Sequence, residues 1–284
     1  MVTTDGTPFG DLALNVFCGP DTGPPLVFVH GVLRCWQDFR PLFPYFSYDW
    51  TCYSLDHRGH GESEHSPGDY EVLDYVSDVQ QFVETQFDEP VVMYGHSLGA
   101  MVVAAVAAKL DDKVMGAILE DPPFETMGTR IGETSLLSYF QGIKSVVTEL
   151  REPWEIGPAL AEVEFFDPVS KTTKRVSEIR NEVEIMYAAK CLSRIDPTVL
   201  DPIVEGRWLN GYDLADISKS IPCPTLLLQG DPDQGGMLID EDVAIMKQKK
   251  PNLFHVKYNG AGHQLHWTNR EEVLRAVSSF LITP

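Results

Sequence analysis

The residue whose surroundings most directly suggest chemistry is Ser97. It is the central residue of the stretch GHSLG at 95–99, which follows an apolar, strand-like run beginning at Val91 and precedes a helical segment of small residues at 100–110. This order of strand, sharp turn and helix is the context of a G-x-S-x-G nucleophile elbow. The two glycines carry no side chain where strand and helix crowd together, and the first N–H groups of the helix point at the reacting centre. The pattern predicts a nucleophilic Ser97, against the alternative of a glycine-rich turn with an idle serine.

A serine hydroxyl is a weak nucleophile, so it requires a neighbouring base that is itself oriented by an acid. The chain has 8 histidines. His263 lies in a glycine-rich loop after the last predicted strand, where the active groups of a parallel sheet collect, and is the predicted base. His266, three residues later, is the alternative. The other histidines are expected to hold loops, pack or face solvent: His30, His57, His60, His65, His96 and His255.

Strand-like and helix-like segments alternate along most of the chain. This alternation predicts an α/β fold with a mostly parallel, doubly wound sheet and right-handed crossovers. The predicted strands are the run at Val91 and residues 11–17, 26–29, 50–55, 114–119, 224–230 and 254–258. The predicted helices are 36–43, 70–87, 100–110, 240–250 and a last helix that opens with a capping box at 268–271.

The alternation stops between Pro122 and about Tyr212. This span has no clear buried strand, and it holds helix-like segments at 135–150 and 176–192. We therefore predict a core domain made of residues 1–121 and 213–284, and a helical cap, or lid, inserted at 122–212.

Five motifs together resemble the α/β-hydrolase fold superfamily, in order and in spacing. They are LVFVHGVL at 26–33, DHRGHGES at 56–63, GHSLG at 95–99, GDPD at 230–233 and Gly262-His263. The resemblance covers the whole chain except the insertion, which corresponds to the variable cap of that family. It implies acyl-transfer hydrolysis through a serine acyl-enzyme, with no cofactor or metal. The implied oxyanion hole consists of the backbone N–H groups of Leu98 and Val32.

The resemblance leaves the triad acid open between two places. Many members of the family place it after the penultimate strand, which here is Asp233, with Asp231 in the same turn as a third candidate. Other members place it after the strand that follows the elbow helix, which here is Asp121. Dehalogenases and epoxide hydrolases of the fold need a carboxylate where this chain has Ser97.

The candidates for substrate contact are Arg34, Trp36 and His96. Arg34 lies two residues beyond Val32 and could meet a substrate carboxylate, although the sequence favours a surface ion pair for it. His96 is expected to pack against neighbouring loops.

Composition excludes several classes of partner. The net charge is −20, from 22 basic and 42 acidic residues, whereas nucleic acids and anionic membranes attract basic patches. No apolar run reaches membrane-spanning length, and the first residues lack a signal-peptide pattern. The 5 scattered cysteines are expected to be reduced thiols. We expect a cytoplasmic monomer or homodimer that acts on a small molecule.

The predicted function is that of a serine hydrolase cleaving a carboxylic ester, a lactone or a related acyl bond through a Ser-His-Asp triad. Close alternatives on the same triad are a C–C bond hydrolase and an amidase-like hydrolase. More distant alternatives are a ligand-binding or signalling member of the fold, and a cofactor-free lyase or oxygenase.

Overall fold

The computed structural model describes residues 2–3, 8–9, 12–167 and 171–282. The strands are β1 Val2–Thr3, β2 Pro8–Phe9, β3 Leu12–Ala13, β4 Val16–Cys18, β5 Pro25–Val29, β6 Thr51–Leu55, β7 Val91–His96, β8 Val114–Glu120, β9 Glu164–Asp167, β10 Thr172–Arg175, β11 Thr225–Gln229 and β12 Phe254–Lys257. The α-helices are α1 Phe43–Phe46, α2 Val72–Gln86, α3 Leu98–Lys109, α4 Leu136–Glu149, α5 Pro153–Ala161, α6 Val176–Ile179, α7 Glu182–Leu192, α8 Asp201–Val204, α9 Leu214–Ser220, α10 Asp240–Lys249, α11 Leu265–Thr268 and α12 Arg270–Leu281. None of the helices in the described ranges is long and apolar enough to cross a membrane.

One large sheet runs through the described part of the chain in the order β1-β4-β6-β5-β7-β8-β11-β12. The six strands from β6 to β12 pair in parallel, and β4 and β1 add antiparallel strands at one edge. The predicted mostly parallel α/β sheet is therefore confirmed. The carboxyl ends of β5, β7, β8 and β11 lie side by side, so the loops that follow them converge on one place.

Helix α3 packs behind the elbow strand because it is apolar on every side. Its residues LGAMVVAAVA are all buried, and it contacts β7, β8, α2 and α9. A helix without a polar face is stable only inside a core. The elbow turn is therefore followed directly by a helix of the buried core.

Several predicted elements differ from the observed ones. The single edge strand predicted at 11–17 is two strands, β3 and β4, and position 11 lies outside the described residues. The helix predicted at 176–192 is two helices, α6 and α7, because the Asn181 side chain accepts the Glu184 N–H at 3.0 Å and starts a new helix. The span 122–212, where no clear buried strand was expected, contains a mostly exposed antiparallel pair of short strands, β9 and β10.

Two helix starts also differ. The segment predicted as a helix at 36–43 consists of a 3₁₀ turn, Trp36–Phe39, followed by α1. The capping box predicted at 268–271 is absent, since the Thr268 hydroxyl donates to the Gln264 carbonyl at 3.0 Å and helix α12 begins at Arg270.

The elbow turn is closed by backbone contacts that leave no room for side chains. A Cβ atom on Gly99 would lie 1.9 Å from the Val29 carbonyl oxygen, and one on Gly95 would lie 2.2 Å from the Gly99 oxygen. Both positions therefore require glycine. The end of β5 and the start of α3 are held together by this contact.

We expect Gly99→Ala to destabilise the protein by about 3 kcal/mol or more, because backbone atoms rather than flexible side chains must move. Gly132→Ala is the matched control, since a Cβ atom there would meet nothing within 4 Å. Its effect should stay within about 1 kcal/mol of the wild type. Urea unfolding at equilibrium measures both. Equal unfolding midpoints for the two variants would contradict the close approach.

Candidate active site

Ser97 occupies the strained position between β7 and α3. Its φ is 56° and its ψ is −120°, and its N–H donates to the Glu120 carbonyl at 2.9 Å. The residue lines a cavity that is also bordered by His263 and Gly31. The first N–H groups of α3, beginning with that of Leu98, have no acceptor in the preceding turn of the helix.

Positive φ angles recur in the loops around the cavity. Leu33 has φ 65° and Asp121 has φ 43°, in addition to Ser97. Such conformations cost of order 1–3 kcal/mol each in non-glycine residues and cluster at functional sites. The loops that follow β5, β7 and β8 therefore each contain a strained backbone conformation close to the cavity.

The loop after β5 packs directly on Ser97. A Cβ atom on Gly31 would lie 3.0 Å from the Cβ of Ser97 and 3.1 Å from Nδ1 of His96. This close packing places the next residue, Val32, beside the nucleophile. Val32 lines the same cavity.

Asp121 is the carboxylate in contact with His263. Its Oδ2 lies 2.7 Å from Nδ1 of the His263 ring. The carboxylate is fully buried and also accepts the backbone N–H groups of Gly230, Met237 and Leu238 at 2.9, 2.7 and 3.3 Å. These bonds hold the carboxylate in one orientation.

The other two acid candidates do not reach His263. Asp233 is exposed, and its N–H donates to Oδ1 of Asp231 at 3.0 Å. Asp231 also accepts the Gly260 N–H at 2.7 Å, which ties the loop after β11 to the loop after β12. Of the two candidates between which the expectation was nearly even, Asp121 lies beside His263 and Asp233 does not.

The other histidines around the site bond to neighbouring groups of the chain, and of these His96 also borders the cavity. His96 donates from Nε2 to the carbonyl of His263 at 2.9 Å, so it packs against the base loop as expected. His57 donates from Nε2 to the His30 carbonyl at 2.9 Å, and Nε2 of His60 accepts the Leu33 N–H at 3.3 Å. His266, the alternative base, is fully buried and bonded to Glu120, so it does not border the cavity.

The cavity lies between the sheet and the segment that connects β8 to β11. The described lining from that segment is mostly apolar: Pro123, Met127, Tyr139, Phe140, Ile143, Leu160, Arg180, Ala188, Leu192 and Trp208. Two arginines, Arg34 and Arg180, border it, and the described lining contains no aspartate or glutamate. The Arg34 guanidinium lies over the Tyr187 ring at 5.7 Å and that of Arg180 over the Tyr139 ring at 5.4 Å.

The structure corrects two expectations about substrate contacts. Arg34 does not form a surface ion pair: it is 9% exposed, and Asp38 is 3.9 Å from its Nε. Trp36 does not border the cavity, because its ring stacks on Phe17 at 4.6 Å and packs beside Phe43.

Sequence reasoning missed two buried carboxylates behind the site. Glu120 carried a usable signal, since it is a charged residue at the end of an otherwise apolar predicted strand. Asp38 carried none, because its burial depends on contacts with distant parts of the chain. Within the described ranges, His96, Glu120 and His266 place potential metal-ligand atoms within 4.8 Å of one another. Since His266 Nδ1 and Glu120 Oε1 bond each other at 2.7 Å, these two atoms are already engaged, and a site without metal stays a prediction.

The comparisons with known proteins agree with this architecture. The family model described as alpha/beta hydrolase fold matches residues 24–270. The chain belongs to this family.

Individual relatives are distant but nearly full-length. The 2-(acetamidomethylene)succinate hydrolase of Mesorhizobium japonicum is 24% identical over 280 residues, which is 96% of this chain and 92% of that protein. The N-formylmaleamate deformylase of Pseudomonas putida is 24% identical over 82% of this chain and 79% of its own length. A crystal structure of E-2-(acetamidomethylene)succinate hydrolase superimposes with a TM-score of 0.74 at 21% identity, covering 99% of this chain and 98% of the other. Relatives named as hydrolases, esterases and lipases indicate that the protein is a hydrolase.

Buried neutral histidines predict how the stability of the fold depends on pH. Burial lowers the pKa of His30 and His57, and it lowers the pKa of His60 and of His96 to about 3. Below pH 6.5 the unfolded chain therefore binds protons that the folded protein does not. The free energy of unfolding should fall by roughly 1 kcal/mol per pH unit for each such histidine.

Urea unfolding at pH 7 and pH 5 measures this effect, and we expect the lower midpoint at pH 5. His266 has the opposite sign, since its pKa is raised to about 10, but its contribution is already complete below pH 6.5. His60→Gln is the internal comparison, because it should reduce the pH dependence. An unfolding midpoint that does not change between pH 7 and pH 5 would contradict the assignment of neutral histidines.

Proposed function

We propose that this hydrolase is a serine hydrolase that cleaves an ester, a lactone or a related acyl bond of a small to medium-sized molecule. The observation that carries the proposal is the 2.7 Å contact between the buried Asp121 and His263, a residue that borders the same cavity as Ser97. In this proposal residues 122–212 form the cap over the cavity.

The reaction proceeds in two halves. His263 takes the proton of the Ser97 hydroxyl while the oxygen attacks the acyl carbon, and Asp121 stabilises the resulting imidazolium. The leaving group departs with that proton and leaves an acyl-enzyme. His263 then takes a proton from water, which attacks the acyl carbon, and returns that proton to the Ser97 oxygen as the bond to the serine breaks and the acid is released. The backbone N–H groups of Leu98 and Val32 bind the oxyanion in both halves, and each is worth on the order of 3 kcal/mol in the transition state.

The substrate is proposed to carry a carboxylate. Arg34 presents a buried guanidinium to a cavity whose described lining has no acidic residue, and its only short-range carboxylate in the described structure, Asp38, is 3.9 Å away. A guanidinium in that setting favours an anion with which it can form charge-assisted hydrogen bonds. Arg180, on the other side of the cavity, adds a second positive charge.

Amide-type bonds are the second candidate for the scissile group. Two relatives favour this candidate, since their names describe hydrolysis of an acetamidomethylene succinate and deformylation of N-formylmaleamate. Both compounds carry carboxylates, in agreement with the role proposed for Arg34. The same serine, base and acid serve either bond, so the two candidates differ only in the leaving group.

Replacing the nucleophile and the acid tests the catalytic assignment. With a p-nitrophenyl ester as substrate, Ser97→Ala and Asp121→Asn should each lower kcat by about 10³- to 10⁴-fold, because both remove members of the triad. Asp233→Asn is the matched control and should retain the activity of the wild type. A fully active Ser97→Ala variant would refute the serine mechanism, and an inactive protein that also resists fluorophosphonate labelling would favour a ligand-binding member of the fold.

Arg34→Met tests the carboxylate. The substrates are p-nitrophenyl hemisuccinate and the neutral p-nitrophenyl butyrate. Loss of a charge-assisted hydrogen bond of about 1.5–3 kcal/mol should lower kcat/KM for the hemisuccinate by roughly 10- to 100-fold. The value for the butyrate should change much less, and Arg40→Met, at an exposed position in the same segment, should change neither. Equal losses on both esters would mean that Arg34 supports the fold rather than the substrate.

A further inference from the structure

A second pair of histidine and carboxylate lies directly behind the first. Glu120 precedes Asp121 at the end of β8, and His266 lies three residues after His263. Oε1 of Glu120 is 2.7 Å from Nδ1 of His266 and also accepts the His266 backbone N–H at 3.0 Å. Both side chains are completely buried. The end of β8 therefore supplies the carboxylates of two histidine–carboxylate pairs. Of the two histidines, His263 borders the cavity and His266 does not.

His266 bridges two carboxylates. Its Nε2 lies 3.5 Å from Oδ2 of Asp38, and neither atom has a hydrogen-bond partner among the described residues. Burial by itself would lower the pKa of His266, but the charge of Glu120, the nearby Asp38 carboxylate and the hydrogen bond to Glu120 raise it to about 10. Burial by itself would raise the pKa of Glu120, and His266 lowers it to about 2. The geometry and the charges both describe an imidazolium held between two anions.

Buried side chains are hydrogen-bonded to both ends of the loop that carries His263. At the end of the loop from His263 to His266, the His266 N–H donates to Glu120. At its start, the His263 carbonyl accepts a hydrogen bond from Nε2 of His96 at 2.9 Å. The His96 ring packs between the other two imidazoles, with centroids 4.6 Å from His263 and 5.0 Å from His266. A movement of His266 would therefore displace the backbone that carries the base.

The cluster also reaches the substrate side of the cavity. Oδ1 of Asp38 accepts a hydrogen bond from Trp267 Nε1 at 3.1 Å and one from the Tyr187 hydroxyl at 3.4 Å, and Arg34 Nε is 3.9 Å away. Tyr187 belongs to α7, in the segment between β8 and β11, and its ring lies under the guanidinium of Arg34. One carboxylate thus connects the base loop to the arginine that borders the cavity.

We propose that Glu120, His266 and Asp38 form a buried charge network that positions the base His263 and the substrate-binding arginine Arg34 relative to each other. All three are positioning residues that do not touch the substrate. The inference rests on the proposed function, because His263 must be the base for its position to matter. The network carries net charge −1: two carboxylates and one imidazolium.

Opposite charge changes test the network. Glu120→Gln removes a negative charge from the network and His266→Gln removes its positive charge, and each should lower kcat by up to about 100-fold through displacement of the base loop. The acid limb of kcat/KM should move to lower pH in Glu120→Gln and to higher pH in His266→Gln, since a more positive surrounding disfavours the protonated His263. The groups facing His263 are Asp121 and His96, and those facing His266 are Glu120, Asp38 and His96.

The double variant Glu120→Gln/His266→Gln restores the net charge of −1. Its acid limb should return to the position of the wild type while kcat stays low. Glu271→Gln is the control, an exposed glutamate near the start of α12, and should leave rate and pH profile unchanged. A purely structural role would lower the rates without moving the limb in opposite directions. Shifts in the same direction, or no shifts, would overturn the proposal.

A measurement on the wild type keeps the test independent of variant folding and of hydrolysis. Nitrogen-15 NMR of the imidazoles should show one buried histidine that remains an imidazolium at pH 8, and its signal should disappear in His266→Gln if that variant folds. If every histidine of the wild type is neutral at pH 8, the network is wrong. Full activity of Ser97→Ala, in contrast, would overturn the proposed function without affecting this spectrum.

Discussion

The position of Ser97 depends on the contact between the start of helix α3 and the carbonyl of Val29. Only a glycine at position 99 permits it, since a Cβ atom there would lie 1.9 Å from that oxygen. The contact brings the end of β5 beside the turn after β7, which places Gly31 against Ser97 and strains the serine at φ 56°. Because α3 is buried on every side, it cannot tilt to relieve this strain. The core therefore supports the backbone of Ser97 from the side of α3.

A second constraint is the pair of carboxylates at the end of β8. Successive side chains of a strand point to opposite faces, so the last residue of β8, Glu120, and the residue after it, Asp121, diverge. Each carboxylate meets a histidine at 2.7 Å, but the surroundings differ. Asp121 accepts three backbone N–H groups, whereas Glu120 shares an imidazolium with Asp38. Buried charges are tolerated only when paired, and both networks meet this condition by different means.

The sequence was informative wherever one local pattern specifies both backbone and chemistry. The turn at Ser97, the parallel sheet and the position of His263 in a loop after the last strand could be predicted because glycine spacing and apolar runs determine turns and strands. The carboxylate that contacts His263 could not be predicted, because the loops after β8 and β11 are neighbours at one edge of the sheet and both carry aspartates. Arg34 was expected at the surface because its burial depends on Tyr187, which is 153 residues away in the chain (187 − 34). The antiparallel pair of β9 and β10 is short and mostly exposed, so it has no alternating or continuous apolar pattern long enough to predict a strand.

A strongly acidic chain is compatible with a cavity bordered by two arginines, because the surface charges and the arginines act over different distances and through different media. A net charge of −20 acts through water and salt, where the Debye length is about 8 Å at physiological ionic strength. Arg34 acts across a few ångströms in a partly enclosed space with a lower effective dielectric constant, where the same charge is worth several times more. Local donors therefore decide which ligand binds, and the distant surface charge chiefly affects solubility and encounter. The charge of the residues that border the cavity, rather than the net charge of the chain, is therefore the physical guide to the charge of the substrate.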